Sequence, residues 1–284
     1  MSFLHAINPH KFAPKTECKM NIIQQPDMLS LSMNLKNFII GSSRQTTFTL
    51  KAGDKELVSQ VYAPDENGVM EIDIHEIVHS FLSYSLKDIG EVYQQTNLVA
   101  DFTAVIDSTE ITFRVIRSGV DRLTDSPTNF LTQNFLTWQP NVKSVTYYSP
   151  EFLTYYAVVA GTVKLRAYFT DESGTVKSQS DYTVTELMPG IAYTMPLQYS
   201  VVAGWLEHKL PAYYDVWVEN TSGQRLTYIQ RYYAEDMRSE QEQWILFENS
   251  LGGVDTFRAY GNTVFNGEHT HNIAEIDEFF SEYR

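Results

Sequence analysis

The sequence contains one cysteine, Cys18. A single thiol excludes an internal disulfide and any zinc site that needs two cysteines from one chain. Long apolar runs are also missing. None approaches the roughly 20 residues that span a bilayer. The first stretch, MSFLHAINPHKFAPKTECKM, has no continuous apolar core of the secretory type. The expectation is synthesis in a reducing cytoplasm, without a signal peptide and without membrane insertion. Positive charge is scarce: 21 Lys and Arg stand against 35 Asp and Glu, a net charge of −14. A chain this acidic repels phosphate backbones, so nucleic acid is not an expected partner. The common catalytic signatures are missing too: the sequence has no P-loop, no G-x-S-x-G and no G-x-G-x-x-G. No cofactor is implied, and no catalytic, cofactor or metal residue is assigned.

What is abundant is aromatic. The 284 residues include 18 Tyr and 16 Phe, and 43% are hydrophobic. That suffices for sizeable cores and leans toward β structure. Alternation begins at Leu29, where Leu29, Leu31, Met33 and Leu35 share one face of a strand. TTFTLKAGDKELVSQVY reads as a hairpin around Gly53-Asp54. NLVADFTAVIDSTEITFRVIR reads as another, turning at Asp107-Ser108. After a turn-rich stretch, Val163, Leu165, Ala167 and Phe169 alternate in the same way. YYDVWVENTSGQRLTYIQRYY gives a further hairpin around Thr221 to Gln224.

These patterns predict an all-β protein of two consecutive sandwiches of immunoglobulin or fibronectin type. The expected divisions are an N-terminal arm over 1–27, a first sandwich over 28–119 and a linker over 120–140. A second sandwich over 141–262 and an acidic C-terminal extension over 263–284 complete the set. Helix signals are few. DIHEIVHSFLSYSL predicts a short connecting helix. NIAEIDEFFSEYR predicts a C-terminal one, with Ile273, Ile276, Phe280 and Tyr283 on one face, either packed on its own domain or facing a partner.

One segment matches a catalytic pattern. His75-Glu76-Ile77-Val78-His79 is an H-E-x-x-H motif, which on a helix aligns two imidazoles for zinc with a glutamate as base. Its surroundings argue otherwise. Asp73 and Glu76 have capping-box spacing, which puts His75 in the first helical turn. Leu82 and Ser85 stand where a longer zinc-protease motif would have Gly and His. Only Glu91 offers itself as a third ligand. The expected alternative is a connecting helix with Ile74, Ile77, Val78 and Phe81 inward and the histidines in solvent. His269 and His271, one residue apart, read as loop histidines.

All four tryptophans, Trp138, Trp205, Trp217 and Trp244, lie in the second half, as do four Tyr-Tyr pairs. Adjacent strand residues face opposite sides, so each strand-borne pair is expected to bury one ring and show the other. Exposed rings suit a protein interface or stacking on sugars.

The stretch ILFENSLGGVDTFRAYG is an aromatic strand, Asn249, Leu251-Gly252-Gly253, then Asp255-Thr256-Phe257. It resembles a segment of multi-domain β-sandwich proteins encoded by phages and prophages of gut bacteria. The resemblance covers a small part of the chain. It implies a tail-associated structural role in a virion, without catalysis, docked to other virion proteins or to copies of the same chain. GVMEIDIHEIVHSFL fits such proteins as a strand followed by a connecting helix. A carbohydrate-binding or adhesin module and an H-E-x-x-H zinc hydrolase are the alternative expectations.

Overall fold

The computed structural model describes residues 20–87, 90–235 and 242–261. Ten elements make up the first half: β1 (Asn21–Gln24), β2 (Leu29–Leu31), β3 (Phe38–Gly41), β4 (Thr46–Ala52), β5 (Lys55–Tyr62), β6 (Val69–Ile72), α1 (His75–Phe81), β7 (Tyr93–Gln94), β8 (Val99–Ile106) and β9 (Thr109–Ile116). The second half has α2 (Pro127–Gln133), β10 (Val142–Val145), β11 (Phe152–Tyr156), β12 (Gly161–Thr170), β13 (Val176–Leu187), β14 (Ala192–Pro196), α3 (Tyr199–Trp205), β15 (Tyr213–Asn220) and β16 (Gln230–Ala234). A hairpin of β17 (Glu242–Glu248) and β18 (Val254–Tyr260) follows.

Period-two alternation builds the first sandwich. In β4, Thr46, Phe48 and Leu50 are buried and the residues between them are not. A sheet ordered β1-β3-β6 faces one ordered β2-β9-β8-β4-β5, with β2 parallel to β9. Phe38 and Ile40 of the first sheet meet Phe48, Phe102 and Phe113 of the second in one core. The Phe38 and Phe48 rings pack edge to face, 5.3 Å apart, a favoured aromatic geometry. The turn between β8 and β9 uses Asp107 at φ 53°. Its carboxylate accepts the Thr47 N–H at 3.0 Å, and an aspartate tolerates this left-handed conformation better than most residues do.

The second sandwich repeats the arrangement. A sheet ordered β11-β14-β7 faces one ordered β10-β16-β15-β12-β13, with β10 parallel to β16. Tyr155, Tyr193 and Met195 meet Val163, Leu165, Tyr214, Val216 and Tyr232 in its core. The protein is therefore all-β, with two consecutive immunoglobulin-like sandwiches.

Several segments differ from the sequence reading. The Leu29–Leu35 run is extended only to Leu31; Ser32–Asn34 is a 3-10 turn. The cause is the end of β9: the Ser32 hydroxyl and the Met33 N–H both donate to the Ser118 carbonyl, and Asn34 brackets the Val120 backbone. The arm read as 1–27 contains β1, which pairs with β3. The segment read as a linker carries α2, capped by the Ser126 hydroxyl, and buries Leu131, Phe135 and Leu136. Most unexpectedly, β7 leaves the first half and pairs with β14, adding an edge strand to the second sandwich. The hairpin assigned to the second sandwich forms a two-stranded ribbon of its own. The expected C-terminal helix, with His269 and His271, lies outside the described residues.

Candidate functional site: a hairpin joint and an aromatic face

The turn of the β17–β18 hairpin sits in the seam between the sandwiches. Asn249 organises it. Its Oδ1 accepts the N–H groups of Leu251 and Gly253, and its Nδ2 donates to the Leu136 carbonyl at 3.1 Å. Leu251 enters a third apolar cluster. Leu31, Leu98 and Ile116 of the first sandwich meet Tyr156 and Ala192 of the second there, with Leu131 and Leu136 from the connection. The two glycines are required sterically. A Cβ on Gly252 would lie 2.0 Å from the Arg117 carbonyl oxygen, and one on Gly253 would lie 2.0 Å from that of Leu136. Gly252 also holds φ at +88°, a conformation that disfavours side chains.

Polar contacts fasten the ribbon on both sides. On the first sandwich, Arg117 donates to Glu248 at 2.6 Å. On the second, the buried Asp255 carboxylate accepts from the Thr137 hydroxyl and the Trp138 N–H. Lys143 donates both to Glu151 and to the Thr256 carbonyl. Glu151 is buried, and that burial pushes its pKa up to about 7, which the Lys143 ammonium only partly offsets. Nothing local in the sequence distinguishes Glu151 from the many surface carboxylates.

The H-E-x-x-H segment belongs to this joint. α1 spans seven residues. The His75 N–H is held by the Asp73 carboxylate, which accepts at 2.9 Å, so Asp73 closes a local turn before the helix. The His75 and His79 rings lie with centroids 5.9 Å apart, tilted by 31°. His79 Nδ1 is bonded to the Ser32 hydroxyl at 2.9 Å. Burial, then the Arg117 and His75 charges, hold His79 below the usual imidazole range. Arg117 donates to the carbonyls of His79 and Leu82 at the end of the helix. Ile74 and Val78 are buried as expected, whereas Phe81 is partly exposed and both histidines are half-buried rather than in solvent. Among the described residues, no three His, Cys, Asp or Glu side chains gather as a metal site.

The outer face of the second sandwich's five-stranded sheet is laid out in rows. One row runs Tyr233–Tyr213–Tyr168–Gln179 across β16, β15, β12 and β13. Its rings lie 5.0 and 4.4 Å apart in sequence. The next row is Arg231–Asp215–Arg166–Asp181. Each arginine grips its aspartate through two hydrogen bonds. The Arg231 guanidinium also lies 4.6 Å from the Tyr213 ring centre. Arg166 holds the Asp181 carboxyl below the usual carboxylate range. A third row places Trp217 beside Lys164.

The tyrosine pairs separate as strand geometry requires at two places: Tyr214 and Tyr232 are buried while Tyr213 and Tyr233 show. Tyr155 and Tyr156 are both buried, because the outer side of β11 is covered by the seam. Tyr147 and Tyr148 lie in a turn and are both exposed. With Tyr199, Trp244, Glu235 and Glu242 they line a cavity of about 300 Å³.

No protein-family model matches the chain, and no curated protein matches it. Among solved structures, it is similar to one concerning host cell surface retention of a 1.5-MDa bacterial ice-binding adhesin, at 11% identity and a TM-score of 0.18; 79% of this chain and 68% of that one are covered. A second is the Escherichia coli alpha-2-macroglobulin activated by porcine elastase, at 11% identity and 0.21, covering 81% of this chain and only 23% of that one. A third is a chimeric titin Z1Z2 tandem, at 14% identity and 0.15, covering 76% and 98%. Likenesses this weak carry nothing about function.

Proposed function

We propose that the chain is a non-enzymatic structural protein that docks to partner subunits, as a tail-associated component of a phage virion. The observation that supports this best is the joint. The Asn249–Gly253 turn fills the seam with backbone-to-backbone contacts that leave no room for a Cβ at Gly252 or Gly253. Two sandwiches tied in this way carry position from one neighbour to the next, which is what an assembly part must do. The virion context rests on the sequence resemblance of the same hairpin. Expected partners are other virion proteins or further copies of the chain. Native mass spectrometry tests the reading: a defined oligomer without metal supports it. One zinc per chain, lost in His75→Ala, overturns it in favour of the hydrolase. Mass spectrometry of purified phage particles tests the virion context, which fails if the chain is never found in them.

A second reading, a glycan-binding module, is favoured by the cavity formed by Tyr147, Tyr148 and Trp244 beside the carboxylates of Glu235 and Glu242. Aromatic rings with nearby acceptors suit stacking and hydroxyl recognition. A glycan-dependent change in tryptophan fluorescence that disappears in Trp244→Phe would establish it.

A further inference from the structure

The outer faces of the two five-stranded sheets differ in chemistry. In the first sandwich the rows read Ser59–Thr49–Val105–Glu110 and Lys51–Thr103–Thr112, with a single Asp101–Arg114 pair in the row beyond and no aromatic row. In the second, rings and paired charges fill the centre. Tyr, Trp and Arg are the residues that anchor protein interfaces. Here the arginines are already paired with aspartates and laid against rings, so they are held in place before any partner arrives.

The charge order identifies the partner. From β16 to β13 the central row reads plus, minus, plus, minus: Arg231, Asp215, Arg166, Asp181. Consider a two-fold axis lying against this face, parallel to the strands, between β15 and β12. It reverses the order of the strands and leaves each row at its own level. The reversed row reads minus, plus, minus, plus. Arg231 then faces the second copy's Asp181, and Asp215, buried beneath Arg231, sets its charge behind that contact, opposite the second copy's Arg166. In the row above, Tyr213 meets the second copy's Tyr168. In the row below, Trp217 meets its Lys164, a cation over an indole. Residue i meets j and j meets i, as an isologous contact demands. We propose that this face is the interface of a two-fold dimer of the chain. The inference rests on the assembly reading and names a second copy as its partner.

Two further quantities agree. The chain carries a net charge of −14, so two copies repel across most of their surfaces. This face alternates in sign and brings unlike charges together. Three strands that overlap over eight residues and β16 over four, at about 4.8 Å by 3.3 Å per residue, give roughly 450 Å² per copy before side-chain relief. About 900 Å² in total lies at the low end of specific interfaces, which fits a weak, reversible dimer.

Sedimentation equilibrium of the full chain, up to about 0.2 mM, tests this in the range where a small interface associates. The wild type is expected to dimerise. The double variant Arg166→Asp, Asp181→Arg keeps the pair within the chain but changes the row to plus, minus, minus, plus. That row is the same read backwards, so like charge meets like. Its association constant should fall at least about tenfold, with the circular dichroism spectrum of the folded chain unchanged. Should that swap unfold the sandwich, Tyr213→Ala, which removes the ring facing Tyr168, should weaken association on a folded background. A wild-type monomer throughout the range overturns the dimer. An oligomer that survives both variants rejects this face yet keeps the assembly reading. A monomer that answers only to glycan rejects both.

Discussion

The two sandwiches share one strand order and complete it differently. The first supplies its own edge: β1 pairs with β3, and β3 with β6. The second lacks a counterpart to β1 in its own stretch. It takes β7 on the free side of β14, and β18 lies against the other flank, where the Thr256 hydroxyl donates to the Pro150 carbonyl. One fold is self-sufficient and the other is finished by its neighbours. Unpaired sheet edges invite wrong partners, so borrowing strands also protects the second sandwich while it binds it to the first.

The largest effect should come from separating them. A fragment of residues 20–119 is expected to give dispersed amide resonances. A fragment of 120–235, without β7 and the hairpin, is expected to give collapsed ones. Two equally well-dispersed spectra would break the comparison. Next in size is Gly253→Val, which drives a methyl-bearing carbon into the Leu136 carbonyl. We expect a loss of about 3 kcal/mol or more in urea unfolding, against about 1 kcal/mol for Gly53→Ala, where φ is +56° but space is open.

Glu151 gives a pH signature of the same seam. Its folded pKa of about 7 lies above the ordinary carboxylate value of 4.5. Between these pH values the folded state holds more protons than the unfolded one. Stability therefore falls as pH rises from 4.5 to 7 and levels off above, by on the order of 2–3 kcal/mol. Glu151→Gln should flatten that slope in thermal melts taken across the window. Asp255→Ala strands the Thr137 hydroxyl and the Trp138 N–H, and should cost about 1–3 kcal/mol in chemical denaturation. Glu248→Gln removes one half-exposed partner of Arg117. It should change stability by less than about 1 kcal/mol, and a larger loss would mark that ion pair as essential to the seam.

What was legible in the sequence was local. Alternation with a left-handed turn residue gave away β8–β9 and β4–β5, because a hairpin needs only neighbours in sequence. Tyr213-Tyr214 announced one buried and one exposed ring for the same reason. What escaped depends on distant partners. β7 is two residues long, too short for any period to show, and its place is set by Thr194 and Tyr193 about a hundred positions away. Leu131, Phe135 and Leu136 sit in a turn-rich stretch that reads as a linker, yet the gap between the sandwiches draws them in. The short helix around His75 was legible. That His79 is tied to Ser32, 47 positions earlier, was not. The rows of the aromatic face need the register of four strands before Arg231 and Asp181 fall on one line.

The hairpin has a further consequence in time. Synthesis runs from the N-terminus, and domains fold as they emerge. The first sandwich is complete by Ile116 and the sheets of the second by Ala234, but the ion pair of Arg117 with Glu248 spans 131 positions. Until Leu251 is made, Leu31, Leu98 and Leu136 lack the side chain that covers them in the finished seam. The nascent protein therefore passes through a stage in which the first sandwich is complete, the second still lacks its hairpin flank, and an apolar cleft lies open between them. Closing it joins residues as far apart as 131 positions, and contacts of such separation are slow to form.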